Sequence, residues 1–391
     1  MNKRVYLLTI VSFVVGMVEL IIGGILDLVA NDLQISLGKT GLLISVFSIV
    51  FAVMGPILLS MTAKIERKKL TLLSLVIFLV GNFIAVLSTT FSVLMAARII
   101  SAASGSLLVV LCVTMASNIV KQEYRARAIG VVFMGISASL VLGVPIGLML
   151  GNAFGWKAPF VLIIGLTVLA MAGVALFMEK IQPKPAVPIR KQIKTLQDKR
   201  ILTAQLTSFL FLTGHLTLYG YLTPFLKTTL GLSGNWVSIV YLIFGVAAVA
   251  GGGLGGVASD RFGTRPTILI SIVVFAVAMF FIPYTTFSFP LFLIIMVMWS
   301  MLSWGITPAQ QSYLIELAPE SSDIQQSLNN SALHLGIALG SSVGAYAIEQ
   351  YTVEMNATVG GMFILLALAS AVFSMTRDRR NVSSLLKKQA G

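Results

Sequence analysis

The sequence predicts an all-α membrane protein of twelve transmembrane helices arranged in two pseudosymmetric six-helix halves. Of its 391 residues, 57% are hydrophobic and only 10% are charged, and long apolar runs recur along the whole chain. A soluble globular domain carries about 25% charged residues, so this chain has too little polar surface to remain dissolved. Disordered and collagen-like chains are excluded by the absence of polar low-complexity tracts. A disulfide framework is excluded because Cys112 is the only cysteine.

A helix needs about 20 apolar residues to cross about 30 Å of hydrocarbon. The predicted spans are 5–26, 40–62, 70–88, 92–117, 127–150, 158–178, 203–225, 236–258, 267–285, 290–315, 326–348 and 358–376. Strands of a β-barrel would be about half as long and would alternate in polarity, which favours helices. The first run resembles a signal peptide, but it is too long, carries Glu19 and lacks a small-residue cleavage site.

The basic residues are concentrated in alternate loops. With the N-terminus inside, 23 Lys and Arg fall in inner loops and three in outer loops, and Arg98 remains within a span. Cytoplasmic loops retain positive charge, so both termini are predicted to be cytoplasmic in an inner membrane. This distribution explains the net charge of +13 without nucleic acid, and anionic lipid headgroups are the alternative partner of these loops.

Two similar halves are predicted on either side of a proline-containing linker. The predicted units are 1–178, the cytoplasmic linker 179–202, the second half 203–376 and a cytoplasmic tail 377–391. An offset of 196 positions pairs Glu19 with His215 and Gly24 with Gly220, and an offset of 197 pairs Gly143 with Gly340. Parallel halves that meet around a midplane cavity are the architecture of a transporter.

Several motifs carry a resemblance to a known family. Within the segment GGGLGGVASDRFGTRP, the stretch from Gly255 to Arg265 resembles the loop signature of the major facilitator superfamily, which occurs between spans two and three and again between spans eight and nine. Its first-half copy, SMTAKIERKKL, has Ala63 in place of Asp260 and Glu66 in place of Gly263. The resemblance therefore implies a charge-relay or helix-capping role only for Asp260. Arg261 and Arg265 complete the motif and are counted with it among the predicted gate residues.

Spans four and five extend the resemblance. Span five carries glycines and a proline similar to the signature of proton-driven antiporters, and Arg98 with Gly105 looks like the arginine motif of the same group. The residues of span five are Gly143, Pro145 and Gly147. The segments VGMVELIIGGIL and SWGITPAQQSYLIELAPESSD resemble bacterial purine base and nucleoside efflux pumps of the drug:proton antiporter branch. Asp27 departs from this family, because proline is expected there at the end of the first span.

Glu19 is the predicted proton carrier. It shares a helical stripe with Ser12, Gly16 and Gly23, so its face can approach another helix or water. A charge near the bilayer centre costs about 2.5 to 3.5 kcal/mol on insertion scales, which favours the neutral acid and allows uptake of a proton. The structural alternative is that Glu19 only ties the first span to a neighbour.

Arg98 is predicted to lie at the same depth as Glu19, within about 3 Å along the membrane normal at 1.5 Å per residue. We therefore predict that Arg98 favours the ionised form of Glu19 in one conformation and withdraws in the other. A static helix clamp is the alternative. His215, which pairs with Glu19 by symmetry, is a second candidate for proton coupling or solute contact.

Neutral polar residues of the second half are predicted to contact the solute. A flat neutral base presents donors and acceptors along its edge, which amides and imidazoles match. The predicted solute contacts are His215, Tyr219, Gln310, Gln311, Asn330 and His334. Helix capping and hydrogen bonding between helices are the structural alternatives for the amides.

A charge-paired inner gate is also predicted. The loop after span ten has no Lys or Arg and carries acidic residues, whereas the inner loops of the first half are basic. The acidic residues are Glu316, Glu320 and Asp323, and the facing basic residues are Lys64, Arg67, Arg125 and Arg127. Solvated charges that do not pair are the alternative.

No catalytic motif is found, so an enzyme, a bound cofactor and a metal are not expected. Gly38, Lys39 and Thr40 lack the leading glycine of a phosphate loop, because Leu33 stands there. The sequence and the resemblance together predict a monomeric exporter of small solutes driven by protons, with purine bases or nucleosides as cargo. A broad multidrug exporter is the first alternative, and a membrane sensor that transports nothing is the remoter one.

Overall fold

Twelve long apolar helices form the protein in the computed structural model, which describes residues 3–121, 125–182 and 194–389. These helices, numbered α1 to α12, are Lys3–Asp32, Leu37–Met61, Arg67–Leu87, Phe91–Asn118, Ala128–Phe154, Ala158–Phe177, Lys199–Tyr219, Asn235–Phe262, Thr264–Thr285, Phe289–Leu317, Ile324–Gln350 and Met355–Thr376. No strand occurs in these described ranges. The predicted twelve-helix architecture is therefore confirmed.

The seventh span is shorter than predicted. The helix ends at Tyr219, and a turn at Gly220 and Tyr221 leads into a separate short helix, Leu222–Leu230. Pro224 lacks an amide hydrogen and cannot continue the helical hydrogen-bond ladder back to Gly220. The expectation of one uninterrupted helix over 203–225 was therefore wrong.

The fifth span also deviates from a regular helix. A five-residue π-helical segment, Ser139–Gly143, joins its two α-helical parts. Pro145 lies two residues after this segment, and its missing amide hydrogen removes the hydrogen bond that the carbonyl of Val141 would accept in a regular helix. The widened turn faces α8, where the backbone of Val141 lies so close to Gly245 that a Cβ atom there would clash.

The two halves meet along two long helix pairs and where α1 contacts the short helix Leu222–Leu230. α2 packs along α11, and the π segment of α5 packs against α8.

The two ends of the bundle are named here by the helix ends that lie there. The end at which α1 begins and α6 ends is called the terminal face, and the other end is called the opposite face. In the described part of the chain, the hydrogen bond between halves that is nearest to the terminal face runs from Ser331 Oγ to the carbonyl of Ala52, at 3.1 Å. The hydrogen bonds between the halves that the described residues show therefore extend from the middle of the bundle to the opposite face.

Candidate functional site

A carboxylate and an imidazole face each other where the two halves meet. Glu19 Oε1 on α1 lies 3.4 Å from His334 Nδ1 on α11, and the two side chains are only 13% and 9% exposed. The His334 ring also packs on Phe51 of α2, with ring centroids 4.3 Å apart. The pair is thus a contact between the first half and the second, away from the ends of α1 and α11, and a change of charge on either side chain would change the strength of this contact.

The Arg98 side chain lies beside this pair and is held by backbone carbonyls. Its Nη1 donates to the carbonyl of Val18 at 2.5 Å, and its guanidinium lies 4.0 Å from the centre of the Phe47 ring. Its Nη2 is buried without a hydrogen-bond partner among the described residues. Among those residues, no direct ion pair within 4 Å joins Arg98 to Glu19, whose near neighbour is His334 instead.

His215 lies in a box of aromatic side chains within the second half. Its ring centroid is 5.3 Å from those of both Tyr219 and Trp299, and Phe244 and Phe275 complete the box at 6.2 and 5.7 Å. Three buried polar atoms of this box have no hydrogen-bond partner in the described structure. They are His215 Nδ1, the Tyr219 hydroxyl and Trp299 Nε1. Leaving such a group unpaired costs about 1 to 3 kcal/mol, so each of these three atoms is a candidate for a hydrogen bond.

A network of amides lies nearer the terminal face. Asn329 Nδ2 donates to Gln205 Oε1 at 3.1 Å and to Ser208 Oγ at 2.7 Å, and Gln205 Nε2 donates to the backbone and side-chain oxygens of Gln325. Gln310 Nε2 donates to the carbonyl of Ala204 at 2.7 Å. The network holds α7, α10 and α11 together, and its members are buried.

The structure separates the amides that the sequence grouped. Gln310 is buried in this network, whereas its neighbour Gln311 and Asn330 are only half-buried and lie outside it. Sequence reasoning missed Gln205 and Gln325. Gln205 lies within the predicted span 203–225, where its polarity was the available signal, whereas Gln325 lies one residue before the predicted span 326–348 and gave no such signal.

The opposite face is closed by polar contacts between the halves. Asp27 Oδ2 on α1 forms an ion pair with Lys227 Nζ on the short helix Leu222–Leu230. The Thr223 hydroxyl contacts the carbonyl oxygens of Gly23 and Gly24 at 3.2 and 2.9 Å. A distortion of α1 at Ile25, with φ −105° and ψ 18°, lies between these contacts. The distorted end of α1 is therefore held by the second half.

Comparison with known proteins identifies the family. The family model of the Major Facilitator Superfamily matches residues 8–341 and 206–390. The chain belongs to this superfamily. It is 33% identical over 369 residues to the uncharacterized MFS-type transporter YbcL of Bacillus subtilis, covering 94% of this chain and 95% of that protein. It is 27% identical over 377 residues to the inner membrane transport protein YdhP of Escherichia coli K12, covering 95% and 96%.

A solved structure shares the fold. A bacterial homolog of the human lysosomal transporter Spinster, in an inward-facing and occupied conformation, superposes with a TM-score of 0.79 at 17% identity, covering 95% of this chain and 96% of that chain. The chain is therefore a multi-pass membrane transporter of the major facilitator superfamily.

The superfamily glycines of α5 pack against α1. A Cβ atom on Gly143 would clash with the Met17 side chain, and one on Gly147 would clash with Ile21. Pro145 is the second residue of the second α-helical part of α5, which begins at Val144. The two glycines thus allow α5 to lie close to the helix that carries Glu19.

The predicted gate residues of the terminal face lie at the helix ends, and their cross-half pairing stays a prediction. Glu316 accepts a hydrogen bond from Thr264 of its own half at 3.1 Å. The Arg265 guanidinium lies 5.9 Å from the Tyr313 ring centre, while Lys64, Asp260 and Arg261 are exposed and Arg67 is buried. The side chains of Arg125, Arg127, Glu320 and Asp323 lie outside the described part.

Glu66, which stands where the superfamily loop of the second half has Gly263, has a role of its own. Its carboxylate accepts hydrogen bonds from the backbone amides of Lys68 and Lys69, at 2.8 and 3.1 Å, and so caps α3. It also accepts one from the amide of Ile181, at 2.9 Å, at the start of the linker. This side chain therefore fixes the linker to the first half.

Proposed function

We propose that this protein exchanges external protons for a small cytoplasmic solute, and that the solute is a purine base or nucleoside. The observation that carries the proposal is the Glu19–His334 contact, because it places an ionisable pair at the boundary between the two halves. Protonation at this boundary changes the attraction between the halves, and a change in that attraction biases which face opens.

Glu19 is the proton carrier in this scheme. Its side chain is almost buried, so its ionised form needs a partner, and Arg98 and His334 both lie near it. When Glu19 binds a proton, the charge that holds these partners disappears, and the halves are released to move past each other. Arg98 donates a hydrogen bond to the carbonyl of Val18, the residue before Glu19. Its positive charge acts on the Glu19 carboxylate from this position.

The orientation follows from the loop charges. Basic loops at the terminal face support a cytoplasmic position for that face, because cytoplasmic loops retain positive charge. The contacts at the opposite face, including Asp27–Lys227, then describe a conformation closed to the outside. In this state the cytoplasmic solute can enter from the terminal face. The halves then rock so that the outer face opens.

The solute class is supported by the second half. The aromatic box offers ring faces for stacking, and its unpaired imidazole, hydroxyl and indole groups offer donors and acceptors. None of these groups carries a fixed charge, which suits a flat neutral solute better than a cationic drug. The resemblance to purine efflux pumps supports the same class.

A proton gradient can drive this exchange. The membrane potential contributes about 2.3 kcal/mol per elementary charge per 100 mV. Exchange of one proton for one neutral solute moves one net charge, so both the potential and the pH difference favour export.

Uptake into inverted vesicles tests the proposal. Vesicles with an acidic interior are given labelled adenine, hypoxanthine or guanosine, and wild type is compared with Glu19→Gln. Wild type should accumulate label, and Glu19→Gln should abolish the accumulation driven by the gradient. Glu354→Gln is the matched control, because Glu354 is exposed at the opposite face and should leave uptake unchanged.

Three results would contradict the proposal. Accumulation by Glu19→Gln at the wild-type rate would remove Glu19 as the proton carrier. Uptake of chemically unlike cationic drugs without purine uptake would favour the multidrug alternative. Absence of any flux from reconstituted, folded protein would favour a sensor.

A further inference from the structure

We propose that Phe47 on α2 is a positioning residue for proton exchange, because its ring competes with the Glu19 carboxylate for the Arg98 guanidinium. The guanidinium lies 4.0 Å from the centre of the Phe47 ring, and among the described residues no ion pair within 4 Å joins it to Glu19. This inference rests on the proposed function, in which Glu19 carries the proton. It adds the residue that decides where the Arg98 charge lies.

The Arg98 side chain is enclosed by uncharged groups. The residue is 1% exposed, Nη1 donates to the carbonyl of Val18 at 2.5 Å, and Nε donates to the carbonyl of Leu43 at 3.5 Å. A buried charge needs partners, and an aromatic face attracts a cation that lies within about 6 Å of its centre. The Phe47 ring is such a face, and it is itself 1% exposed. Phe47 therefore stabilises the Arg98 charge in a conformation in which Glu19 does not pair with it.

One nitrogen of Arg98 remains available for Glu19. Nη2 is buried without a hydrogen-bond partner in the described structure. The Arg98 and Glu19 charges already act on each other, and Nη1 binds the carbonyl of Val18, the residue before Glu19. When Glu19 is ionised, a shift of the guanidinium from the ring towards α1 lets Nη2 donate to the carboxylate. When Glu19 is protonated, the Phe47 ring retains the guanidinium.

A line of aromatic rings connects Arg98 to the second half. The centroids of the Phe47 and Phe51 rings are 5.9 Å apart, with an angle of 27° between the ring planes. The Phe51 ring in turn lies 4.3 Å from the ring of His334, which faces Glu19. The Phe47 ring is therefore held by packing, and the position of Arg98 is tied to the boundary between α2 and α11.

Glu19 and His334 are the ionisable side chains that face this arrangement. The helices packed against α4 are α1, α2, α3 and α5. Residues 128–154 of α5 carry no charge. On α1, α2 and α3 the other charged residues lie towards the helix ends, and they are Lys3, Arg4, Asp27, Asp32, Lys39 and the basic residues 67–69. A change in the position of Arg98 therefore acts first on the ionisation of Glu19.

Infrared titration of Glu19 in the purified full-length protein tests this role. The band of the protonated carboxyl that is absent in Glu19→Gln reports the ionisation of Glu19. Phe47 is replaced by 4-fluoro-, 3,5-difluoro- and 3,4,5-trifluorophenylalanine, because each fluorine weakens the negative face of the ring with little change in its size. Arg98 should then move towards Glu19 and favour its ionised form. The midpoint of the titration should therefore fall stepwise, by about 0.4 to 1.5 pH units over the series.

Phe91 provides the matched control. Its ring lies 5.2 Å from Lys39 Nζ, a second contact between a cation and an aromatic face, and it precedes Arg98 on α4 by about two turns. The same fluorinated residues at Phe91 should leave the midpoint unchanged.

Arg98→Gln provides a second comparison, because it removes the charge from the ring. In this background, fluorination of Phe47 should have no effect on the midpoint. Monodispersity and thermal unfolding establish that Arg98→Gln folds. The fluorinated series in the wild-type background retains both the ring and Arg98, so it tests the proposal without that variant.

Two results would overturn the role of Phe47. A midpoint that stays constant or rises across the series would show that the ring does not compete with Glu19 for Arg98. An equal shift on fluorination of Phe91 would show that the fluorines do not act through Arg98.

The proposed exchange is judged separately by vesicle uptake. A stepwise fall of the midpoint without uptake driven by the gradient would support the positioning role of Phe47 while the proposed function fails. Uptake driven by the gradient with a constant midpoint would overturn the role of Phe47 while the proposed function stands.

Discussion

Asp27 on α1 and Lys227 on the short helix Leu222–Leu230 form an ion pair that joins the two halves at the opposite face. Asp27 is 14% exposed and Lys227 30%, so the pair is screened less than a surface pair. Asp27 occupies the position at which the family resemblance implies a proline. The aspartate found there instead of proline forms a contact between the halves at the opposite face.

Removing this pair should shift the protein towards opening at the opposite face. A partly exposed pair contributes about 1 kcal/mol, which corresponds to a roughly fivefold shift in the equilibrium between the two conformations. We expect Asp27→Asn to lengthen the distance between spin labels at Lys39→Cys and Glu354→Cys in a Cys112→Ser background. Asp27→Lys combined with Lys227→Asp should restore the wild-type distance. Failure of this charge exchange to restore it would show that the ion pair does not control closure.

Arg98→Lys should reduce proton-driven uptake at least tenfold and change its pH dependence. The guanidinium reaches the carbonyls of Val18 and Leu43 on two different helices, at 2.5 and 3.5 Å, and a single ammonium cannot reproduce this planar fork. Uptake measured from pH 5.5 to 8 compares the variant with wild type. Arg4→Lys is the control, because Arg4 also donates to a backbone carbonyl, that of Phe177, but lies away from Glu19. Transport by Arg98→Lys with an unaltered pH profile would make Arg98 a static clamp.

Alanine substitutions at two glycines of α8 should have opposite effects on stability. A Cβ atom on Gly255 would clash with the backbone of Gly305 on α10, whereas a Cβ atom on Gly253 would meet nothing within 4 Å. Gly253→Ala should therefore stabilise by up to about 1 kcal/mol through helix propensity alone. Gly255→Ala should destabilise by about 1 to 3 kcal/mol, because the helices must separate. Thermal unfolding midpoints measure both, and equal midpoints would contradict the close approach of α8 and α10.

Glu66 should give a stability contribution that depends on pH. Burial raises the pKa of its carboxyl, but hydrogen bonds from the amides of Lys68, Ile181 and Lys69, with the Lys69 charge, outweigh it and lower the pKa below the ordinary 4.5. The ionised form is thus favoured in the folded state. Its contribution is complete above pH 4.5 and disappears as the pH falls through the lower folded-state value.

Glu66→Gln should accordingly lower stability at pH 7 by about 1 kcal/mol, a typical capping contribution. The difference from wild type should narrow as the pH falls below 4.5. Thermal unfolding midpoints at pH 7 and at pH 3.5 test this. Glu179→Gln serves as the control, because Glu179 forms an exposed ion pair with Arg4, and exposed pairs contribute little. A constant difference between Glu66→Gln and wild type across this range would exclude the charged cap.

The aromatic box and the amide network show where sequence reasoning reached its limit. Asn329 and Asn330 are neighbours, as are Gln310 and Gln311, but consecutive residues of a helix point about 100° apart. Only one member of each pair enters the network, and the rotation of each helix decides which one. The faces towards lipid and towards other helices are equally apolar here, so hydrophobic periodicity carries little information about that rotation.

The sequence by itself determined the twelve spans and the membrane class, because hydrocarbon tolerates only long apolar helices with internally paired backbones. It also singled out Glu19, Arg98, His215 and His334, since ionisable groups in spans are costly and therefore rare. Only the tertiary structure decided that Glu19 meets His334, that Arg98 binds the Val18 carbonyl and that Asp27 meets Lys227. These contacts join residues far apart in the chain, and their geometry depends on how the two halves pack against each other.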